Sequence, residues 1–326
     1  MLKYMRAINN PDVLERTAVR ADVGAVAISL IGYLIITSIA SVVMIFFASM
    51  EFNGVIYPAA SGVGLLFIML ILRGNMHLDE IFEETREIPA RVMRNAFFCI
   101  AGLQPAFMFL GHGVTKLFEN EGYRVDLSTF DPKASGVVFI IINLVIVKPV
   151  VEGILFRGAV LRVLSAYGRT FAIFASAILF GLYQGNILQI GYAFCTGLIY
   201  GYITFRYSIK YSIVLHAIHN GLTVLVAYVT PLLPGVTGLA IYVMWGVFAI
   251  GLIVVAATKS AKVKRFLDKG RARVNAWKYT FTVPWLLLYI VITIVLTAAQ
   301  LDVKPINSPA SQYPPQLIPD VWDKLE

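Results

Sequence analysis

Three stretches decide the fold of this chain: KPVVEGILFRG at residues 148–158, ILFGLYQGN at 178–186 and IVLHAIHN at 213–220. Each is apolar enough to lie within a membrane-crossing helix, yet each carries polar side chains. These polar residues are Lys148, Glu152, Arg157, Gln184, Asn186, His216, His219 and Asn220. Ionisable groups in a membrane segment are costly unless they are paired or face water, so their default interpretation is a functional site.

The composition of the whole chain is that of a membrane protein. Of its 326 residues, 58% are hydrophobic and 14% are charged, whereas soluble domains carry about 25% charged residues. With about 20 apolar residues to a crossing, we predict nine spans, near 23–48, 54–72, 95–115, 136–160, 170–185, 187–205, 209–230, 237–258 and 281–300. We therefore expect an all-α polytopic membrane protein of about eight to nine transmembrane helices. The first apolar run exceeds a signal-peptide core, so we expect an uncleaved span.

The distribution of positive charge predicts the orientation. With these spans, 21 of the 27 Lys and Arg residues fall in alternate loops, 5 fall on the other side, and Lys148 lies within a span. Cytoplasmic loops are enriched in Lys and Arg, so we expect the N-terminus inside and the C-terminus outside, in a bacterial cytoplasmic membrane. The net charge of +8 then reflects topology, and no nucleic-acid partner is expected. The basic loop 259–279 either binds anionic lipid headgroups or is basic only because cytoplasmic loops are enriched in Lys and Arg.

We expect the chain to fall into three parts. Residues 1–135 hold the N-terminal spans and an amphipathic connection, 136–230 form the core, and 231–326 hold the C-terminal spans and a proline-rich tail. The connection, MHLDEIFEETREIPARVMR at 76–94, suits a helix along the cytoplasmic face, with a solvated connecting helix as the alternative. The tail at 304–319 is expected to be extended on the outer side.

Helical spacing groups the polar residues of the core. At about 100° per residue, His216 and Asn220 lie about 40° apart, with His219 about 60° to the other side of His216. One face of the seventh span therefore offers two imidazoles and an amide, although hydrogen bonds between helices would also explain them. Lys148 lies one turn before Glu152, so an ion pair within the helix is the structural alternative to a functional carboxylate.

Two further features flank that group. Arg157 lies about 140° from Glu152 on an α-helix, so we expect it either to orient the site from outside or to anchor the cytoplasmic interface. Gln184, Gly185 and Asn186 form a polar turn between two short spans. Irregular backbone at membrane depth is tolerated only where it is buried in protein or lines a wet cavity, as a site would require.

Taken together, the order and spacing of these motifs resemble the CPBP family of CAAX-protease and bacteriocin-processing (Abi) membrane proteins. The family signature is Glu-Glu-x-x-x-Arg, then Phe-x-x-x-His, then His-x-x-x-Asn, on successive helices of a membrane-embedded core. Glu152 and Arg157 fit the first motif, Phe180 fits the second, and His216 and Asn220 fit the third. The resemblance covers roughly the predicted core.

The resemblance implies a metal-independent intramembrane endopeptidase. In the family's proposed mechanism the first Glu and the second-motif His activate a water, while the third-motif His and Asn stabilise the oxyanion. Carried over, Glu152 is the general base, and His216 and Asn220 form the oxyanion hole. The expected substrate is a peptide or a membrane-protein segment within the lipid bilayer.

Two departures from the signature predict a weakened site. Gly153 stands where the family has its second Glu, and Gln184 occupies the histidine position. A glutamine amide can hold a water by hydrogen bonds, but it has no basic lone pair to take a proton. His219 is the one further histidine that we consider as a substitute.

Two other functions stay open from the sequence. One is a catalytically inactive scaffold or regulator that binds a partner on the same fold. The other is a proton-coupled transporter with Lys148, Glu152 and His216 as a relay, which ranks third because no matched pair of broken spans is found. No cofactor is expected: zinc requires at least three protein ligands, and Glu152 and His216 with one more histidine make such a site improbable.

Overall fold

The structure is a computed structural model, and it describes residues 11–47, 53–72, 82, 86–126, 137–229, 236–270, 276–299 and 301–305. The first three helices are α1 (Pro11–Phe47), α2 (Asn53–Leu72) and α3 (Ala90–Asn120). Helix α4 (137–165) is described in the next paragraph. The later helices are α5 (Arg169–Tyr183), α6 (Ile187–Arg206), α7 (Ile209–Val229), α8 (Val236–Asp268), α9 (Ala276–Thr280) and α10 (Pro284–Ala299).

The helix that we call α4 consists of five consecutive pieces. They are α-helical Val137–Ile142, π-helical Asn143–Val147, α-helical Lys148–Glu152, π-helical Gly153–Val160 and α-helical Leu161–Ser165. In a π-helix each N–H bonds to the carbonyl five residues earlier, and such wide turns recur at functional sites. Two of them bracket the α-helical piece that ends at Glu152.

The all-α polytopic architecture expected from the composition is confirmed. Within the described residues, five helices are long and apolar enough to cross a membrane, namely α1, α3, α6, α7 and α8, and shorter apolar helices include α5 and α10. The protein is therefore an integral membrane protein. The number of crossings stays a prediction, as does the division into three parts.

A two-stranded antiparallel ribbon was not predicted from the sequence. Strand β1 (Tyr123–Asp126) follows α3, and strand β2 (Asp302–Pro305) follows α10. The ribbon brings the ends of these two helices to the same end of the bundle. Of the tail predicted to be extended, residues 304 and 305 lie in β2, and 306–319 lie outside the described residues.

The opposite end of the bundle is joined by contacts between helix ends and a turn. Arg20 donates a hydrogen bond to the carbonyl of Thr282 (3.3 Å). The hydroxyl of Thr170 donates one to the carbonyl of Leu267 (2.6 Å). This is the end where positive charge collects. Of the predicted amphipathic segment, residues 76–81 and 83–85 lie outside the described residues, while 90–94 begin α3.

Helix α4 lies at the centre of the packing. It contacts α1, α2, α5, α6 and α7, while α3 runs along α8 and α10 packs on α1 and α5. The main hydrophobic core is built largely from α1, α4, α5 and α10, with Leu155, Phe156, Phe171 and Tyr289 almost fully buried. This arrangement places the α-helical piece 148–152 where α5 and α7 also meet it.

Candidate functional site

Glu152 is the carboxylate at the centre of the site. Its side chain is buried at the end of the short piece Lys148–Glu152, with the residue only 1% exposed. Lys148 Nζ lies 3.7 Å from Glu152 Oε1, as one-turn spacing predicts. Neither carboxylate oxygen has a hydrogen-bond partner among the residues that the structure describes. A buried carboxylate held by charge without a direct hydrogen bond retains acceptor capacity for another molecule.

His216 approaches the same carboxylate from α7. Its Nε2 lies 3.9 Å from Glu152 Oε2, and the residue is buried. Its ring stacks on Tyr200 of α6, with centroids 5.0 Å apart, and meets the ring of Phe180 of α5 edge-on at 6.2 Å. Three helices therefore hold the imidazole beside Glu152.

Gln184 lies in the turn between α5 and α6. Gly185 adopts a φ of +67°, which favours glycine because it lacks a Cβ. The side chain of Asn186 caps α6 by accepting hydrogen bonds from the N–H groups of Leu188 (3.0 Å) and Gln189 (3.3 Å). Asn186 is thus engaged as a helix cap.

The Gln184 side chain is tied to the site through Lys148. Lys148 Nζ donates a hydrogen bond to Gln184 Oε1 (3.2 Å), while Gln184 Nε2 donates weakly to the carbonyl of Phe180 (3.4 Å). Lys148 therefore bridges Gln184 and Glu152. The structure brings the second motif to the first, with an amide where the family has an imidazole.

Asn220 has a structural partner that follows from Pro149. The N–H of Lys148 bonds to the carbonyl of Asn143, five residues earlier. Pro149 has no N–H, so the carbonyl of Leu144, again five residues earlier, lacks a donor from the helix. Asn220 Nδ2 supplies one at 2.8 Å. The amide has two hydrogens, so one remains for another acceptor.

Arg157 lies in the π-helical piece of α4. The separation of about 140° between Arg157 and Glu152 that the sequence predicts assumes about 100° per residue, but residues 153–160 are π-helical and turn less per residue. Arg157 is 2% exposed, so it does not anchor an interface. Its guanidinium lies over the ring of Phe180 at 4.0 Å and near that of Tyr200 at 5.0 Å.

Arg157 and His216 therefore contact the same two aromatic rings. The guanidinium atoms Nη1 and Nη2 of Arg157 have no hydrogen-bond partner among the described residues. Its attraction to the ring faces offsets part of the cost of burial. Arg157 and His216 are therefore linked through the rings of Phe180 and Tyr200.

His219 points away from Glu152. Its Nε2 lies 2.7 Å from the hydroxyl of Tyr192, which also lies 3.2 Å from the carbonyl of Ile100 on α3. Within the described parts of the chain, the histidine within 4.0 Å of Glu152 is His216. The structure thus links His219 of α7 through Tyr192 of α6 to the backbone of α3, and its part in catalysis stays a prediction.

Two tyrosines of α6 that contact the histidines were not predicted from the sequence. Tyr192 and Tyr200 contact His219 and His216 respectively. The signal was present, because Tyr192, Thr196 and Tyr200 are spaced four residues apart and share one helix face. Nothing in that spacing alone distinguishes a lining of the site from ordinary packing.

Gly153 is explained by the packing of α7 on α4. A Cβ added there would overlap Ile213 Cγ1 and lie 2.9 Å from Ile213 Cδ1. A glutamate side chain at this position would have to displace Ile213. The departure from the family signature therefore coincides with a close approach of the two helices.

Substitution of Gly153 tests that close approach. We expect Gly153→Ala to lower the free energy of unfolding by about 1–3 kcal/mol through overpacking, measured by thermal unfolding in detergent. Gly246→Ala is the control, because nothing lies within 4 Å of a Cβ there. Adding Ile213→Ala to Gly153→Ala should restore part of the loss. Unchanged stability of Gly153→Ala would contradict the packing described here.

The described residues contain no group of three or more His, Cys, Asp or Glu side chains arranged to hold a metal ion. The polar groups that converge on α4, α5 and α7 are one carboxylate, one imidazole, two amides and the ammonium of Lys148. Water activation and stabilisation of an oxyanion are chemistry that such groups can perform.

Fold and site together define an integral membrane protein with a buried polar site in its helical core. Residues 134–222 match the family model described as type II CAAX prenyl endopeptidase Rce1-like, which confirms the resemblance to CAAX proteases. The match supports an intramembrane endopeptidase. Comparisons with curated proteins and with solved structures give no significant match.

Proposed function

We propose that this chain is an intramembrane endopeptidase that uses Glu152 as its general base. The observation that carries the proposal is the approach of His216 Nε2 to within 3.9 Å of the buried Glu152 carboxylate, inside the segment that matches the family. The substrate is a peptide or membrane-protein segment that enters from the bilayer. The distribution of Lys and Arg supports an N-terminus inside and a C-terminus outside, in a bacterial cytoplasmic membrane.

Glu152 takes a proton from a water, and the water oxygen forms a bond to the scissile carbonyl carbon. The carbonyl oxygen becomes an oxyanion, which accepts hydrogen bonds from His216 and from the second hydrogen of Asn220 Nδ2. As the tetrahedral intermediate collapses, the C–N bond breaks. The proton held by Glu152 then passes to the amine that leaves.

Gln184 supports a second candidate, a scaffold that binds a peptide without cleaving it. Its Oε1 accepts a hydrogen bond from Lys148, and an amide cannot take a proton from water as a histidine can. A positioned acid or base is worth roughly 10² to 10⁴ in rate. The same site would then recognise a partner segment through the polar groups that an active enzyme uses for catalysis.

The test is cleavage of a library of peptides and single-span substrates by the purified, full-length protein in detergent. We expect His216→Ala to lower turnover by roughly 10² or more, since removal of one oxyanion donor has effects of that size. His112→Ala on α3, a histidine outside the site, is the matched control and should retain turnover. Thermal unfolding of both variants checks that they are folded.

The other outcomes separate the two candidates. A parent that binds peptides without cutting them, with binding weakened by His216→Ala, would favour the scaffold. Equal turnover by the parent and a folded His216→Ala variant would contradict the assignment of His216 and the proposed mechanism.

A further inference from the structure

A large cavity lies away from Glu152, near the end of the bundle where positive charge collects. Its volume is about 890 Å³, and α3, α5, α6 and α8 all contribute to its walls. Seven of the described residues that line it are Lys or Arg, and none is Asp or Glu. Positive-inside bias requires basic residues in loops, but it does not require four helices to direct them into one cavity.

Two arginines in this cavity lie beside the same aromatic ring. The guanidinium carbon of Arg169 is 3.7 Å from the centroid of Phe266, and that of Arg206 is 5.8 Å from it. The Nε atoms of both are buried without a hydrogen-bond partner among the described residues. Neighbouring cations with donors to spare favour binding of an anion, because an anion relieves their repulsion and accepts their hydrogen bonds.

The remainder of the cavity wall is apolar. Ile173, Leu198, Ile199 and Val255 line it alongside the basic residues. Each lies about one to two turns from a basic residue on the same helix, namely Arg169, Arg206 or Lys259. Charge at the end of the bundle followed by an apolar wall between helices matches a phospholipid, which has an anionic headgroup and acyl chains.

We propose that this cavity binds an anionic phospholipid, with the headgroup phosphate at Arg169 and Arg206 and an acyl chain along the apolar wall. Basic pockets between transmembrane helices on the cytoplasmic side are suited to such headgroups. The lipid fills the space between α3 and α8 on one side and α5 and α6 on the other. This binding does not depend on the proposed peptidase activity.

The test compares phosphatidylglycerol with phosphatidylcholine as additives to the full-length protein in detergent. Native mass spectrometry measures the lipid retained, and thermal unfolding measures stabilisation. Lys259→Gln/Lys262→Gln removes two basic residues of α8 that line the cavity. Lys210→Gln/Lys264→Gln is the control, because it removes the same charge at the same end of the bundle outside the cavity.

We expect selective retention of phosphatidylglycerol by the parent. Two charges at about 1 kcal/mol each correspond to weakening by about thirtyfold in Lys259→Gln/Lys262→Gln, with less than about twofold in the control. Arg206→Gln removes one of the two arginines placed at the phosphate, so it should weaken binding more than Lys259→Gln/Lys262→Gln does. Equal weakening in both double variants would indicate general surface attraction and would overturn the proposal, as would equal retention of the two lipids. If added inorganic phosphate bound and abolished the preference for phosphatidylglycerol over phosphatidylcholine, the site would be assigned to a soluble anion instead.

Discussion

Substituting Glu152→Gln is expected to abolish peptide-bond cleavage while leaving the protein folded. Glutamine has nearly the shape of glutamate but cannot take a proton from water, so the reaction loses its base. Loss of a general base alone is worth roughly 10² to 10⁴ in rate. The other groups around Glu152 are amides, an imidazole and the ammonium of Lys148, and the proposed mechanism gives none of them the role of base. We therefore expect turnover to fall by at least about 10³.

The effect of Glu152→Gln on stability should be much smaller than its effect on turnover. The substitution removes an ion pair whose atoms lie 3.7 Å apart, but it also removes the cost of burying a carboxylate. Lys148 keeps its hydrogen bond to Gln184 and is 22% exposed at the side chain. We therefore expect a thermal unfolding midpoint close to that of the parent.

Turnover and the unfolding midpoint should be measured together on Glu152→Gln and on Glu119→Gln. Glu119 pairs with Lys116 near the end of α3 and is partly exposed, so its substitution controls for the loss of one carboxylate. If a folded Glu152→Gln variant cleaved at the rate of the parent, Glu152 would not be the base. A parent that binds peptide without cleaving it, with binding retained in Glu152→Gln, would identify the scaffold.

Substituting Gln184→His is expected to raise turnover, by roughly 10² or more, because it adds a group that can take or hold a proton. Gln184 Oε1 lies 3.2 Å from Lys148 Nζ, which itself lies 3.7 Å from Glu152. A histidine at the same backbone position reaches the same neighbourhood. The turn itself should tolerate the change, because its backbone is determined by Gly185 and by the cap at Asn186.

Two further variants make this result specific. Gln189→His places the same imidazole on the first turn of α6, beyond the cap, and should leave turnover unchanged. The double variant Gln184→His/Glu152→Gln should be inactive, because the added histidine assists the carboxylate and does not replace it. A folded Gln184→His variant with the parent's turnover would show that residue 184 does not occupy the catalytic position that the motif implies.

The helices and their order follow from the sequence because burial of apolar residues in lipid depends on composition and length. Helices α5, α6 and α7 lie close to the spans predicted at 170–185, 187–205 and 209–230. The one-turn pairing of Lys148 with Glu152 also follows from helical spacing. The span positions and this pairing depend on neighbouring residues alone, so they can be predicted without knowing how the other segments pack.

Arg157 and the β-ribbon could not be predicted in the same way. Arg157 lies in a π-helical turn of α4, which contacts five neighbouring helices. A regular spacing of about 100° per residue, read from the sequence, does not predict such a turn. The ribbon pairs Tyr123 with Pro305. Four-residue strands so far apart in sequence carry little signal of their own, because a two-stranded pairing is stable only when the rest of the fold supports it.

A helical membrane protein with polar residues on three central segments could be predicted from composition and spacing alone. The contacts that those residues make could not, because they depend on how the helices pack. The tertiary structure joined Asn220 to the carbonyl that Pro149 leaves without a donor, directed His219 toward Tyr192, and placed His216 beside Glu152. The physical reason is that a hydrogen bond or ion pair between helices depends on their rotation and separation, which packing of the whole core sets.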